Sequence, residues 1–232
     1  ALRLLGAKAE EEAMVKGREF IHSHGGGVYT GSWAKFYMCL LGVMEWSGHQ
    51  VIPAEMWLLP NWFPFHPGRL WCHCRMVYLP MCYLYGVKYV YQHAETDPLI
   101  AALRTELYLE KDYKSIVFEG TADLVADVDN YSPIHPVMRV GNYVLAIWEK
   151  YGGFLLKSVR KKGLAFAIDY MHAEDEQTNY VDIGPVNKVL NMLSAYHDAG
   201  NDSTCTAFKK HLLRIPDYLW LSEDGMKMQG YN

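Results

Sequence analysis

The 232-residue sequence has no surplus of positive charge: 22 lysines and arginines stand against 26 aspartates and glutamates, a net charge of −4. That balance offers no electrostatic footprint for nucleic acid, so none is expected as a partner. No apolar run approaches the roughly 18 residues that mark a membrane-crossing helix. Cysteines are few: Cys39, Cys72, Cys74, Cys82 and Cys205. An odd number, three of them crowded together, excludes a simple disulfide framework and points to a reducing compartment. Gly25-Gly26-Gly27 follows a helical stretch and no Gly-Lys-Ser/Thr occurs, which excludes a phosphate loop. No aspartate-rich run of the kind that holds magnesium diphosphate is present. Asp127-Val-Asp129 and Glu174-Asp-Glu176 read instead as solvated surface. Strand-like alternation is scarce.

What remains is apolar and aromatic. Half the residues are hydrophobic, and 14% are aromatic, with 7 Trp, 17 Tyr and 11 Met. That is enough for a sizeable core in one large domain or two small ones. The chain begins at Ala1 in a stretch that already reads as helix and stops at Gly230-Tyr-Asn232. Both ends are expected to be cuts through a longer protein; no signal peptide is visible, and a cut end could not show one.

Helical periodicity predicts segments over 10–21, 32–46, 70–86, 98–107, 136–151, 155–172, 185–197 and 206–220. Proline opens three of them, at Pro98, Pro136 and Pro185. The 70–86 segment is apolar nearly all round and should be buried. Eight helices with short connections predict an all-α fold of stacked antiparallel helix hairpins. His22 and His24 stand where they could cap the last carbonyls of the first helix. The stretch 115–131, with Glu119, Asp123, Asp127 and Asp129, is expected to be a solvated surface segment.

The loop 52–67 stands apart. Prolines at 53, 60, 64 and 67 forbid a regular long helix. Yet Met56, Trp57, Leu58, Leu59, Trp62, Phe63 and Phe65 are large and apolar. Such a loop either packs under other elements or dips into a lipid interface, where Trp is favoured.

The densest chemistry lies in Trp71-Cys-His-Cys-Arg-Met-Val-Tyr78. Cys-x-Cys with His between is not a zinc spacing, and no second ligand pair stands elsewhere, so no metal is expected. Residues 73 and 74 are neighbours on a helix and do not face each other as a Cys–His nucleophile pair must. Cysteines as small apolar fillers explain Cys72 and Cys74 but leave His73 and Arg75 needing partners. A helix that lines an internal cavity resolves this. The aromatic faces of Trp33, Trp71 and Tyr78 then suit a cation or a bland lipid pocket.

At these residues the sequence resembles the oxidosqualene cyclases. The resemblance is carried by Trp57-Leu-Leu-Pro60, Pro64-Phe-His-Pro-Gly68, Leu70-Trp-Cys-His-Cys-Arg-Met-Val-Tyr-Leu-Pro-Met81, Ile183-Gly-Pro-Val-Asn-Lys-Val-Leu-Asn-Met192, Ile215-Pro-Asp-Tyr-Leu-Trp220 and Asp224-Gly-Met-Lys-Met-Gln-Gly-Tyr-Asn232. Residues 90–175 match more loosely. The resemblance implies a partial α/α barrel, a toroid of helix hairpins, in which residues 1–232 make up most of the N-terminal-half barrel of a two-barrel enzyme. It implies cyclisation of 2,3-oxidosqualene, without a cofactor, to a sterol precursor.

The family's initiating acid sits in an Asp-Cys-Thr-Ala-Glu motif that does not occur here. The chain by itself is therefore expected to be inactive. Trp33, in Gly-Ser-Trp-Ala-Lys, resembles a cavity-wall tryptophan, although the family usually has Gly where Ala34 stands. Trp71 resembles a second aromatic wall residue. His73 resembles the histidine near the terminal cation, and Cys74 and Tyr78 resemble the constriction between access channel and cavity. Pro185 and Val186 resemble cavity lining, and Gly230, Tyr231 and Asn232 a turn bordering it.

The resemblance also implies that the Pro/Trp loop, through Trp57, Leu58, Leu59, Trp62, Phe63 and Phe65, dips into one leaflet as a monotopic membrane contact. The setting is then the cytosolic face of the endoplasmic reticulum or a lipid droplet. His73 is typical of members that make sterol precursors, and Tyr231 of those that make cycloartenol rather than lanosterol. The alternative is a non-catalytic lipid-binding all-α domain derived from the same fold.

Overall fold

A computed structural model describes residues 1–110, 112–152 and 157–228. The described residues are mainly helical: α1 Glu12–Ser23, α2 Ser32–Leu41, α3 Cys72–Gly86, α4 Pro98–Glu106, α5 Pro136–Ile147, α6 Lys157–Gln177, α7 Pro185–Asp198 and α8 Thr206–Arg214. A small antiparallel hairpin follows, β1 Leu219–Ser222 and β2 Gly225–Met228. The all-α class expected from periodicity is the class observed. No helix among the described residues is long and apolar enough to cross a membrane.

The chain forms two compact units: residues 1–51 with 88–146, and residues 52–87 with 147–232. In the first, Cys39, Val43, Met44, Ile100, Leu103, Tyr108 and Phe118 make the core. Helix α2 stops at Gly42 rather than running on to residue 46. Gly42 takes φ 75°, and a Cβ there would lie 2.5 Å from that of Ala94, so only glycine fits this turn. Arg104 Nε and the Tyr108 hydroxyl donate to the carbonyls of Gly42 and Val43, both at 2.8 Å. His24 caps α1 at the Phe20 carbonyl (2.7 Å), while His22 reaches the Glu106 carbonyl at the end of α4 (2.9 Å).

The stretch 115–131 is only partly the surface segment expected. Glu119, Asp123, Asp127 and Asp129 are exposed, but Phe118 and Ala126 are buried. The fully buried Lys35 donates to the carbonyls of Thr121 (2.5 Å), Leu124 (2.8 Å) and Ala122 (3.3 Å). Three carbonyls replace the water that an ammonium loses on burial. Burial nevertheless pulls its pKa down to about 8.

In the second unit, α6 is the hub. Its buried residues Gly163, Ala167, Ile168, Met171, Glu174 and Asp175 recur at helical spacing on one face. Gly163 lets the 3₁₀ turn Ala54–Leu58 lie directly on the helix backbone. Glu174 and Asp175 are inside, so their reading as solvated surface is corrected. The helix continues through them to Gln177 and carries them onto its inner face. The helix expected over 206–220 ends at Arg214. Pro216 sits in a 3₁₀ turn, Ile215–Tyr218, and Asp224-Gly225 turns the hairpin with Gly225 at φ 118°.

Candidate functional site

The first half of α3 presents the chemistry. Trp71 is its N-cap residue and is 66% exposed. His73, Cys74 and Tyr78 are half-buried, and the second half, from Leu79 to Tyr85, is buried. The helix therefore emerges from the core at its N-terminal end. Cys74 and Tyr78 are four residues apart and share a face. The imidazole of His73 lies 4.4 Å from the Trp71 ring, tilted by 45°. Its Nδ1 is 3.3 Å from the Cys72 sulfur. Helix neighbours thus do meet here, because residue 72 opens the helix. Arg75 reaches the Gly68 carbonyl at 3.4 Å.

Helix α7 packs on α3, and Pro185 and Val186, half-buried, form its first turn. Trp33 stands in the other unit, half-buried on the first turn of α2. Gly230, Tyr231 and Asn232 lie outside the described residues.

The loop 52–67 divides its apolar residues between two sides. Trp57 is buried: its indole N–H donates to the Cys82 sulfur at 3.4 Å, and its ring stacks on Phe166 at 6.3 Å. This corrects its assignment as a membrane contact. Anchored to α3 and α6, it holds the loop in place. Leu58, Trp62 and Phe65 point outward, with Trp62 76% exposed, and Leu59 and Phe63 are half-buried. Phe63 lies edge-on to both Trp62 and Phe65.

A buried polar cluster in the second unit departs from the surface reading of Glu174 and Asp175. The Asp175, Asp182 and His211 ligand atoms lie within 4.8 Å of one another, a donor set that could hold a metal. The Lys188 ammonium is already there, 2.9 Å from His211 Nδ1 and 3.7 Å from Asp182. It also donates to the Tyr180 carbonyl. The site therefore carries its own cation beside the two carboxylates. His211 meets Asp175 at 3.2 Å. Burial pulls the His211 pKa down, but the hydrogen bonds to Asp175 and Asp182 together with the Asp175 charge outweigh it, and the net shift is upward. Burial raises Asp175, lowers Lys188 and pushes Glu174 up to about 7. The signal for this cluster was available: 171, 174 and 175 continue the apolar stripe of α6 at helical spacing.

Against known proteins, residues 1–224 match the model of the squalene-hopene cyclase N-terminal domain. The chain is 43% identical to cycloartenol synthase of Dictyostelium discoideum, over all of this chain and 32% of that protein. It is 41% identical to human lanosterol synthase, over all of this chain and 30% of that one. It is also 41% identical to alpha-onocerin synthase LCD of Lycopodium clavatum, again over all of this chain and 30% of the relative. The chain thus spans about a third of the length of the curated relatives it matches. A family model matched over nearly every residue, with 41–43% identity along the whole chain to a cycloartenol synthase and a lanosterol synthase, means that this chain belongs to the squalene-hopene cyclase N-terminal domain family, among the oxidosqualene cyclases.

Proposed function

We propose that the chain is part of an oxidosqualene cyclase that converts 2,3-oxidosqualene to a sterol precursor, with cycloartenol favoured over lanosterol. The observation that carries the reading is the grouping of Trp71, His73, Cys74 and Tyr78 at the N-terminal half of α3, in a chain whose whole length matches cycloartenol and lanosterol synthases. An aromatic ring beside an imidazole does two things for a carbocation. The π-face stabilises positive charge without offering a nucleophile. The imidazole accepts the proton whose loss ends the cascade.

In this reading Trp71, Pro185 and Val186 line the substrate cavity. Cys74 and Tyr78 gate access, and His73 orients or accepts the final proton. The initiating acid is supplied by sequence other than these 232 residues, which contain no Asp-Cys-Thr-Ala-Glu. This chain alone therefore builds wall and proton acceptor and does not start the reaction. Leu58, Trp62 and Phe65, exposed on an anchored loop, make the contact with one leaflet. The membrane is that of the endoplasmic reticulum or a lipid droplet, approached from the cytosol.

The test uses the protein encoded by the whole transcript, assayed on oxidosqualene with products resolved by gas chromatography and mass spectrometry. His73→Ala should change the product profile or cut turnover by about tenfold or more. Unchanged products and turnover would remove His73 from the mechanism. Absence of turnover in the unaltered protein, with the lipid still bound, would favour a non-catalytic lipid-binding domain.

A further inference from the structure

Helix α3 contains Pro80 well inside its length. Proline has no N–H, so the carbonyl four residues earlier, that of Met76, loses the helical donor it would otherwise have. Buried carbonyls do not stay unpaired without cost. The missing donor comes from another helix: the side-chain amide of Asn187, in the first turn of α7, donates to the Met76 carbonyl at 3.0 Å. Asn187 is fully buried and is itself fixed from both ends. Its Oδ1 accepts the Ile183 N–H at 3.0 Å, and its amide also faces Asn191 Oδ1 at 3.3 Å and Glu174 Oε2 at 3.4 Å. Asn191 in turn donates to Glu174 Oε2 at 3.0 Å.

The position of this bond matters more than its strength. Trp71, His73, Cys74 and Tyr78 all precede Pro80. Pro185 and Val186 immediately precede Asn187. At a proline a helix can kink, and the direction of the first half is then set by whatever holds the freed carbonyl. One amide therefore ties the α3 half that carries the aromatic and imidazole groups to the turn that carries Pro185 and Val186.

We infer that Asn187 is a positioning residue: by taking over the Met76 carbonyl freed by Pro80, it fixes the Trp71–Tyr78 half of α3 against the Pro185–Val186 turn. The inference rests on the proposed cyclase reading for its use, but its geometry is independent of that reading. Asn187 touches no reacting atom; it acts through α3.

The test is a double-mutant cycle on the 232-residue chain. Asn187→Leu removes the donor. Pro80→Ala restores a backbone N–H at position 80, which gives the Met76 carbonyl a helical partner and makes Asn187 dispensable there. Hydrogen exchange of the α3 amides from Arg75 to Leu79 is read in all four proteins, together with the NMR signals of the Trp71 indole and the His73 ring. With Pro80 present, Asn187→Leu should accelerate exchange by about tenfold and shift both ring signals. In the Pro80→Ala background, both effects should largely disappear.

Equal effects in the two backgrounds would overturn the inference, because loss of the Ile183 contact alone does not depend on residue 80. Non-additive exchange with unmoved Trp71 and His73 signals would also overturn it, leaving a brace that positions nothing. Should Asn187→Leu not fold, Asn187→Ser is read in the same cycle. Failure of the cyclase reading appears elsewhere, as absence of turnover in the unaltered protein made from the whole transcript, and leaves the cycle's outcome intact.

Discussion

Replacing Gly163 by alanine sets two physical effects against each other. Alanine inside a helix is worth about 1 kcal/mol over glycine, so propensity alone predicts a more stable protein. The structure predicts the reverse. A Cβ at residue 163 would stand 2.8 Å from the carbonyl carbon and oxygen of Ala54 and 2.9 Å from the Glu55 nitrogen. All three are backbone atoms, so no side chain can rotate away. Relief requires the 54–58 turn to lift off α6.

That turn is held at both ends. Arg160, one helical turn before Gly163, bonds Glu55 at 2.7 Å and Glu149 at 2.6 Å. Trp57 is pinned between Cys82 and Phe166. Overpacking of this kind costs about 1–3 kcal/mol. With rigid backbone as the contact the cost takes the upper part of that range, about 2–3 kcal/mol, so after the propensity gain Gly163→Ala should lose about 1–2 kcal/mol, or about 4–8 °C in Tm for a unit of this size. Gly17→Ala on α1, where a Cβ meets nothing within 4 Å, is the control and should gain a few tenths to about 1 kcal/mol. Thermal and urea unfolding followed by circular dichroism give both values. A Gly163→Ala protein as stable as the unaltered chain, or more so, would refute the close approach of the 54–58 turn to α6.

Glu174 should make stability fall with pH over a defined window. Burial raises its carboxyl from 4.5 to about 7, so the native state keeps a proton that the unfolded chain releases. Stability therefore declines as pH rises from about 4.5 to 7 and is flat above. Glu174→Gln should flatten that slope in urea titrations, and an unchanged slope would place the titration on another group. The two sides of the 52–67 loop should separate by assay. Trp62→Ala with Phe65→Ala should weaken sedimentation with liposomes of the protein made from the whole transcript and leave Tm within about 1 °C. Trp57→Ala should instead lower stability by about 3–5 kcal/mol. Liposome binding unaffected by the outer pair would leave those rings without a membrane role.

Much of the helical layout was legible because it rests on local signals. Pro98, Pro136 and Pro185 each start a helix where they were expected to. The apolar character of 70–86 anticipated a helix whose second half is buried. The boundary errors were also local in origin. Periodicity carried α2 past Gly42 and the last helix past Arg214, because a 3.6-residue pattern does not register the turn chemistry of Gly42, Pro216 or Asp224-Gly225.

The site was legible as composition. His73 and Arg75 in an apolar helix required partners, and the Trp71 ring and the Gly68 carbonyl are among those observed. Composition concealed the inside of a polar cluster, although residues 171, 174 and 175 continue the apolar stripe of α6. Glu174-Asp175 has the composition of a surface, and only the register of α6 against Asn187, Asn191 and His211 turns it inward. Spacing along one chain sets most of the helices, and resemblance to known cyclases sets the family. The tertiary structure alone decided that Trp57 anchors while Trp62 faces outward, and that Asn187 supplies the hydrogen bond that Pro80 removes from α3. Both are partnerships between residues far apart in the chain, and no local pattern encodes which donor meets which acceptor.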